Sequence, residues 1–177
     1  RLGTVGYMAF APDGLTSVGG YTGDEEKSAA LFATVDKPKM TEDFVASAIW
    51  LKARPESNGR IGTVGFCFGG GIANTLAVRL PDLGAAVPFY GVPPAPADVP
   101  AIKAAVLVHQ AGLDTRLAST WPGYDAELTA AKVRHDGYVY AGANHGFHND
   151  TTPRYDEAAA KLAWQRTMTW FDTYLRG

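Results

Sequence analysis

Ile61-Gly62-Thr63-Val64-Gly65-Phe66-Cys67-Phe68-Gly69-Gly70-Gly71 is the stretch from which the rest of the chain is read. An apolar, β-prone run stops at the single cysteine, and a glycine cluster leads into small apolar residues, Ile72 to Leu80, that suit a helix. The order is strand, sharp turn, helix. Gly65 and Gly69 flank Cys67 at two residues on either side, the G-x-C-x-G form of the nucleophile elbow with a thiol in place of the usual serine. Side chains next to such a strained turn would collide with the strand or the helix, which is the expected reason for both glycines. A cysteine there also stands at a helix N-terminus, whose backbone N–H groups favour the thiolate. The competing reading is a buried cysteine acting as a small hydrophobe in a βα turn. Nucleotide readings fail, because no Lys-Ser/Thr follows the glycines and Asn74 stands where a dinucleotide fingerprint needs its third glycine.

Downstream, Pro81 ends the helix near Leu80, and Ala85 to Gly91 reads as a strand. Val92 to Pro100 holds four prolines in nine residues and reads as a stiff surface connection. Ala104 to His109 is a continuous apolar strand of the kind a sheet covered on both faces requires. Thr120 caps a helix running to about Lys132 with Pro122 in its first turn; Tyr138 to Tyr140 forms another strand, and Gly142 to Gly146 the loop beyond it. A last helix begins at Thr152-Pro153 and places Trp164, Met168, Phe171 and Leu175 on one face. Upstream, Arg1 to Val5 reads as the tail of a helix and Gly6 to Ala11 as a short buried strand stopped by Pro12-Asp13-Gly14. Loop is expected to about Met40, then a helix capped by Thr41 and running to Pro55. Strands alternating with helices give an α/β layer fold with a largely parallel sheet.

A length of 177 residues suits one domain over the whole chain. Sixteen basic against 18 acidic residues, with no basic stripe, argue against a nucleic-acid partner. One cysteine excludes an internal disulfide or a C-x-x-C site, and no apolar run is long enough to span a bilayer, so the cytoplasm is the default location. The sequence begins at Arg1, so a leader or an N-terminal segment is expected to be absent from it.

In open parallel sheets the ligand crevice lies beyond the carboxyl ends of the strands. Cys67, Asp114 and His145 each follow such an end, in the order nucleophile, acid, histidine that α/β-hydrolases use. His145 is the base that takes the thiol proton and returns one to a leaving alkoxide, and Asp114 fixes the imidazole tautomer. Each has a plainer alternative: a turn carboxylate for Asp114, a backbone-bonded loop residue for His145. Of the other histidines, His109 reads as a core or pocket-wall residue and His135 as solvent-exposed, while His148 lines the cleft or anchors its loop. No grouping has metal-ligand spacing, so no metal is expected.

These residues resemble the dienelactone hydrolase family of cysteine α/β-hydrolases through GYMAFAPD (6–13), GFCFGG (65–70), VPFYG (87–91), Asp114, NHGFHN (144–149) and Tyr155 to Leu175. The resemblance implies an α/β-hydrolase fold and hydrolysis of a lactone or small carboxylic ester through a thioester, with Cys67, Asp114 and His145 as triad and no metal or organic cofactor. It implies Phe68, through its backbone N–H, together with Tyr90, Phe147 and Asn149, as the oxyanion and substrate-binding set. The sequence departs from the family in two places. Residues 14–23 contain no arginine, and Asn149 stands four residues after His145, where anion-binding arginines belong; Arg116 and Arg154 are the candidate substitutes, both read as solvent-facing. The family's strand before GYMAFAPD, whose loop supplies a second oxyanion donor, is absent and would leave an interior gap in the sheet. A missing N-terminal segment or another copy of the chain is expected to fill it. Two further readings stay open: a truncated or degenerate hydrolase domain that binds a ligand or partner without turnover, and a redox-sensing thiol.

Overall fold

The structure is a computed structural model describing residues 2–176, and the chain divides into two compact units, 1–59 and 60–177. In the first unit, helix α1 (Glu25–Thr34) is capped by Asp24, whose carboxylate accepts from the Lys27 N–H at 3.0 Å. Helix α2 (Lys37–Lys52) is capped in the same way by Asp36, which accepts from the Lys39 N–H at 3.1 Å, with Pro38 in the opening turn. The loop expected up to Met40 is therefore largely helical, and Thr41 is not a cap. It lies inside α2, its hydroxyl donating back to the Lys37 carbonyl at 3.0 Å. Gly6 to Ala11 is not a strand; a single 3₁₀ turn, Gly3–Val5, precedes it, and Arg1 lies outside the described residues. Apolar alternation alone does not make a strand where no neighbouring ladder takes up the backbone groups. Leu15, Val35 and Met40 form the small core of this unit, flanked by Val18, Leu31, Phe32 and Phe44.

The second unit is built on four parallel strands whose order in the sheet is their order in the chain: β1 (Gly62–Phe66), β2 (Ala85–Phe89), β3 (Ala105–Ala111) and β4 (His135–Tyr140). Every residue of β2 and β3 is buried, as strands covered on both faces must be. Helix α3 (Phe68–Arg79) joins β1 to β2, helices α4 (Thr115–Ala118) and α5 (Trp121–Ala130) join β3 to β4, and α6 (Glu157–Phe171) follows, ending in a π-helical turn, Asp172–Arg176.

Two glycines of β1 show which helix covers which face. A Cβ on Gly62 would lie 2.7 Å from Leu175 and 3.2 Å from Phe171, whereas one on Gly65 would lie 1.9 Å from the Gly69 carbonyl oxygen. Three residues apart on a strand, they point to opposite faces, so the α6 end lies on one side and α3 on the other. The Tyr124 hydroxyl of α5 donates to the Asn74 side chain of α3 at 3.1 Å, placing α5 beside α3, as right-handed crossovers in one direction require.

Several boundaries differ from expectation. Helix α6 starts at Glu157, because Asp156 provides the cap, accepting from the Ala159 N–H at 3.0 Å. Its buried stripe is Ala160, Ala163, Thr167 and Phe171; Trp164 and Met168 are half-buried at its margin. Strand β4 begins three residues earlier than Tyr138, and within Val92 to Pro100 the prolines open a 3₁₀ helix, Pro96–Ala101, that buries Val99. Gly6 to Ala11 does not pair with the cysteine strand, and β1 is an end strand among the described residues. No helix among them is long and apolar enough to cross a membrane.

Candidate active site

Cys67 occupies the one residue between β1 and α3 and adopts φ 54°, ψ −118°, a conformation that non-glycine residues rarely take. Strand and helix are held so close there that Gly65 admits no side chain. Gly69, expected to be needed for the same reason, has open space instead. The second close approach is between Gly70 and Gly91, where a Cβ on Gly91 would lie 2.2 Å from the Gly70 carbonyl carbon. This interlock presses the start of α3 against the end of β2, and the Cys67 N–H donates to the Phe89 carbonyl at 3.1 Å. Cys67 is consequently exposed at the rim of the sheet rather than sealed in the core.

Asp114 caps α4 just beyond β3, accepting from the Leu117 N–H at 3.4 Å through Oδ1. His145 lies in the loop beyond β4. The two loops are tied together by backbone bonds, Gly112 N–H to Tyr140 O at 2.9 Å and Leu113 N–H to Ala143 O at 3.0 Å. Across them His145 Nδ1 stands 2.6 Å from Asp114 Oδ2, and His145 Nε2 stands 3.0 Å from Cys67 Sγ. A carboxylate opposite Nδ1 fixes the proton there, so Nδ1–H donates to Asp114 and Nε2 is left to accept from the thiol. The three residues expected from strand order are therefore joined in one hydrogen-bonded line.

The thiolate expected from the helix N-terminus is corrected. Burial is the largest influence on Cys67 and pushes the thiol's pKa up; the Arg154 guanidinium acts the other way, and the Asp114 carboxylate adds to the rise. At neutral pH the resting sulfur is a thiol, and the neighbouring imidazole becomes the means of removing its proton.

Tyr90 and Phe147, expected among the ligand-contacting residues, are 1% and 0% exposed. Their rings pack beneath the site, Tyr90 with its centroid 4.8 Å from His145 and 5.4 Å from Phe147, so they form the floor under the imidazole. Asn149 is exposed, and its side-chain oxygen accepts from the Thr151 N–H at 3.0 Å and the Thr151 hydroxyl at 2.8 Å, a turn within the loop. Phe68 is the first residue of α3, its side chain 46% exposed beside Cys67, and Phe66 on the other side is 36% exposed. His135 is half-buried, with Nδ1 on the Val133 carbonyl at 2.7 Å and Nε2 on Asp125 at 3.1 Å. Among the described residues no group of three His, Cys, Asp or Glu side chains could hold a metal ion.

Sequence reasoning left His109 in the core and went no further. It is fully buried, bonded through Nε2 to the Thr167 hydroxyl at 3.1 Å and through Nδ1 to the Tyr140 hydroxyl at 3.0 Å, and Tyr140 in turn accepts from Arg166 at 3.1 Å. This chain clamps β3 and β4, the strands carrying Asp114 and His145, to α6. A histidine inside an otherwise apolar strand was the only signal for it.

A parallel sheet whose first crossover opens on a strained, glycine-flanked turn, with an acid and a histidine on later strand ends, defines an α/β-hydrolase. The chain belongs to the dienelactone hydrolase family, whose family model matches residues 1–175. A Salmonella typhi protein named "Putative carboxymethylenebutenolidase" is 32% identical over an alignment of 192 residues, covering 98% of this chain and 70% of that protein. The crystal structure of a "Putative Dienelactone Hydrolase" from Klebsiella pneumoniae superposes with TM-score 0.69 at 31% identity, over 76% of this chain and 61% of that one. A dienelactone hydrolase-like promiscuous phosphotriesterase from metagenomic libraries superposes with TM-score 0.70 at 26% identity, over 82% and 68%. The chain thus spans between 61% and 70% of the length of these three relatives.

Proposed function

We propose that this protein hydrolyses lactones or small carboxylic esters through a thioester on Cys67. The observation that supports the reading is the unbroken line from Asp114 Oδ2 through His145 to Cys67 Sγ, at 2.6 and 3.0 Å. As the sulfur attacks the ester carbonyl, its proton passes to His145 Nε2, and the new C–S bond leaves charge on the former carbonyl oxygen. The Phe68 N–H, first in α3, is the donor we assign to that oxygen. Collapse expels the alkoxide, which takes the proton from His145. A water then loses its proton to His145 and attacks the thioester, and breakdown releases the acid and restores the thiol. Asp114 stabilises the imidazolium in both halves. The upward shift of the thiol suits this course, because a neutral S–H···N pair moves its proton only as the carbonyl is attacked.

The same shift favours a second reading, a hydrolase-derived domain that binds a ligand without turnover. p-Nitrophenyl acetate hydrolysis separates them. Cys67→Ala and His145→Ala are each expected to lower kcat/KM by roughly 10²–10⁴-fold, with acyl-enzyme detectable by mass spectrometry in wild type. A rate indifferent to loss of Cys67 would remove the nucleophile, and wild-type protein that alkylates without turning over would support the binding domain. A reduced, uncrosslinked thiol suits the cytoplasm, where we place the activity, on a small-molecule ester or lactone rather than a nucleic acid or a membrane.

A further inference from the structure

Tyr140, the last residue of β4, meets the two loops of the site through its carbonyl and its ring, and meets α6 through its hydroxyl. The carbonyl accepts from the Gly112 N–H at 2.9 Å and the Ala143 N–H at 3.2 Å, so the segments leading to Asp114 and to His145 start from one oxygen. A Cβ on Gly112 would lie 2.7 Å from that oxygen, and no side chain cushions the junction. The ring lies 5.0 Å from Phe147, which packs on Tyr90 and so reaches the imidazole from beneath. The hydroxyl accepts from Arg166 Nη1 at 3.1 Å and stands 3.0 Å from His109 Nδ1. A guanidinium only donates, so the Tyr140 hydroxyl gives its one proton to His109 Nδ1. That places the ring proton on Nε2, facing the Thr167 hydroxyl at 3.1 Å, and Thr167 in turn donates to the Ala163 carbonyl at 2.9 Å. Every donor in the chain points one way, out of α6 and back into it, and Arg166 sets the direction. His109 is neutral, as this requires, since burial, with the Arg166 charge adding to it, lowers its pKa to about 3.

Resting on the ester-hydrolase reading, we propose that Arg166 is a positioning residue for His145, holding Tyr140, and through it both loops, where Nε2 reaches Cys67 Sγ. The guanidinium is itself fixed. It is half-buried, with its carbon 3.5 Å from the centroid of the Tyr138 ring, two residues back along β4 on the same face. Arg166 touches neither substrate nor reacting atoms and acts through the Tyr140 carbonyl and ring. Without its donor the Tyr140 hydroxyl can turn away from His109, the chain loses its direction, and the end of β4 is no longer pinned to α6. The loss falls on alignment rather than on binding. His145 Nε2 is 3.0 Å from the sulfur, and a displacement of about 1 Å takes the proton acceptor out of reach without altering what else the ester touches.

p-Nitrophenyl acetate kinetics and the downfield proton NMR signal of His145 Nδ1–H test the assignment. Arg166→Met keeps the aliphatic stem and removes every donor, whereas Tyr140→Phe keeps the ring on Phe147 and removes only the hydroxyl. Each is expected to lower kcat roughly 10- to 100-fold with KM within about twofold of wild type, and the double variant to do no worse than either, because both break the same link. If Arg166→Met does not fold, Tyr140→Phe carries the same expectation. Arg166→Lys, which restores a cationic donor, is expected to recover most of the rate. Trp170→Phe removes a different anchor of α6, the indole N–H to the Ala105 carbonyl at 3.2 Å, and is expected to lower the urea midpoint without changing kcat. The NMR arm needs no turnover. The signal, identified by its absence in His145→Ala, should exchange with water faster in Arg166→Met and Tyr140→Phe but not in Arg166→Lys or Trp170→Phe. If wild type hydrolyses no ester, the hydrolase reading falls and this signal alone decides the role of Arg166. Unchanged exchange in both variants, unchanged kcat in an active enzyme, or losses that Trp170→Phe reproduces would each overturn the proposal.

Discussion

Asp114 acts on the site in two opposite ways. Its carboxylate orients His145 by accepting from Nδ1–H, and the same negative charge helps hold the Cys67 thiol protonated. Asp114→Asn should separate these effects. Hydrolysis is expected to fall roughly 10²–10⁴-fold, because a carboxamide can present its N–H to the ring and turn the tautomer the wrong way. Alkylation of Cys67 by iodoacetamide at a fixed pH below the thiol pKa is expected to become faster, because one cause of the upward shift has gone. The pair of measurements, on one folded variant, would contradict this account if both rates moved together. The residues under His145 show a different division of labour. Tyr90 and Phe147 have no exposed surface to offer a ligand, and burial pushes the Tyr90 phenol's pKa upward, so what stands beneath the imidazole is a neutral aromatic floor.

At the scale of elements, the βα turn at Cys67 depends on two close approaches, and they give contrasting expectations for neighbouring glycines. Gly65→Ala places a methyl 1.9 Å from the Gly69 carbonyl oxygen, so β1 and α3 must separate. The urea midpoint should fall by the equivalent of about 3 kcal/mol or more. Gly69→Ala meets nothing within 4 Å and sits in the first turn of a helix, so it should be neutral or stabilising by about 0.5–1 kcal/mol. The contrast also marks how far the sequence could be read. The symmetric G-x-C-x-G spacing announced the turn and the position of the sulfur, but it gave both flanking glycines the same steric role. The real second partner, Gly91, lies 21 residues beyond Gly70 and meets it only after β2 has docked. The convergence of Cys67, Asp114 and His145 was legible because the ends of parallel strands meet at one rim whatever their separation in the chain. Helix α1 was read as loop and α2 was started late, at Thr41, because Asp24 and Asp36 look like ordinary loop acids until each is seen accepting from an N–H three residues on. Gly6 to Ala11 was over-read for the converse reason, since apolar composition carries no information about whether a ladder partner exists.

For the molecule as a whole, the buried His109 should leave its mark on acid stability. Burial, with the Arg166 and His148 charges adding to it, lowers its pKa from 6.5 to about 3 in the folded protein. Between those two values the unfolded chain binds a proton that the folded chain does not, so stability falls as pH drops from about 6.5 toward 3. The slope from this one group approaches about 1.4 kcal/mol per pH unit and vanishes above 6.5. Urea unfolding at several pH values should show this slope in wild type and a shallower one in His109→Gln, which keeps hydrogen-bonding capacity toward Tyr140 and Thr167 without a titrating ring. An identical acid slope in the variant would mean that other groups carry it. The sheet has a further consequence for how the protein comes into being. Because β1 to β4 are laid side by side in the order they are made, a chain emerging from the ribosome can add each strand to a finished neighbour, and the sulfur is in place long before its base arrives. Until the loop carrying His145 has docked beyond β4, the cysteine of the growing chain has no imidazole beside it to take its proton.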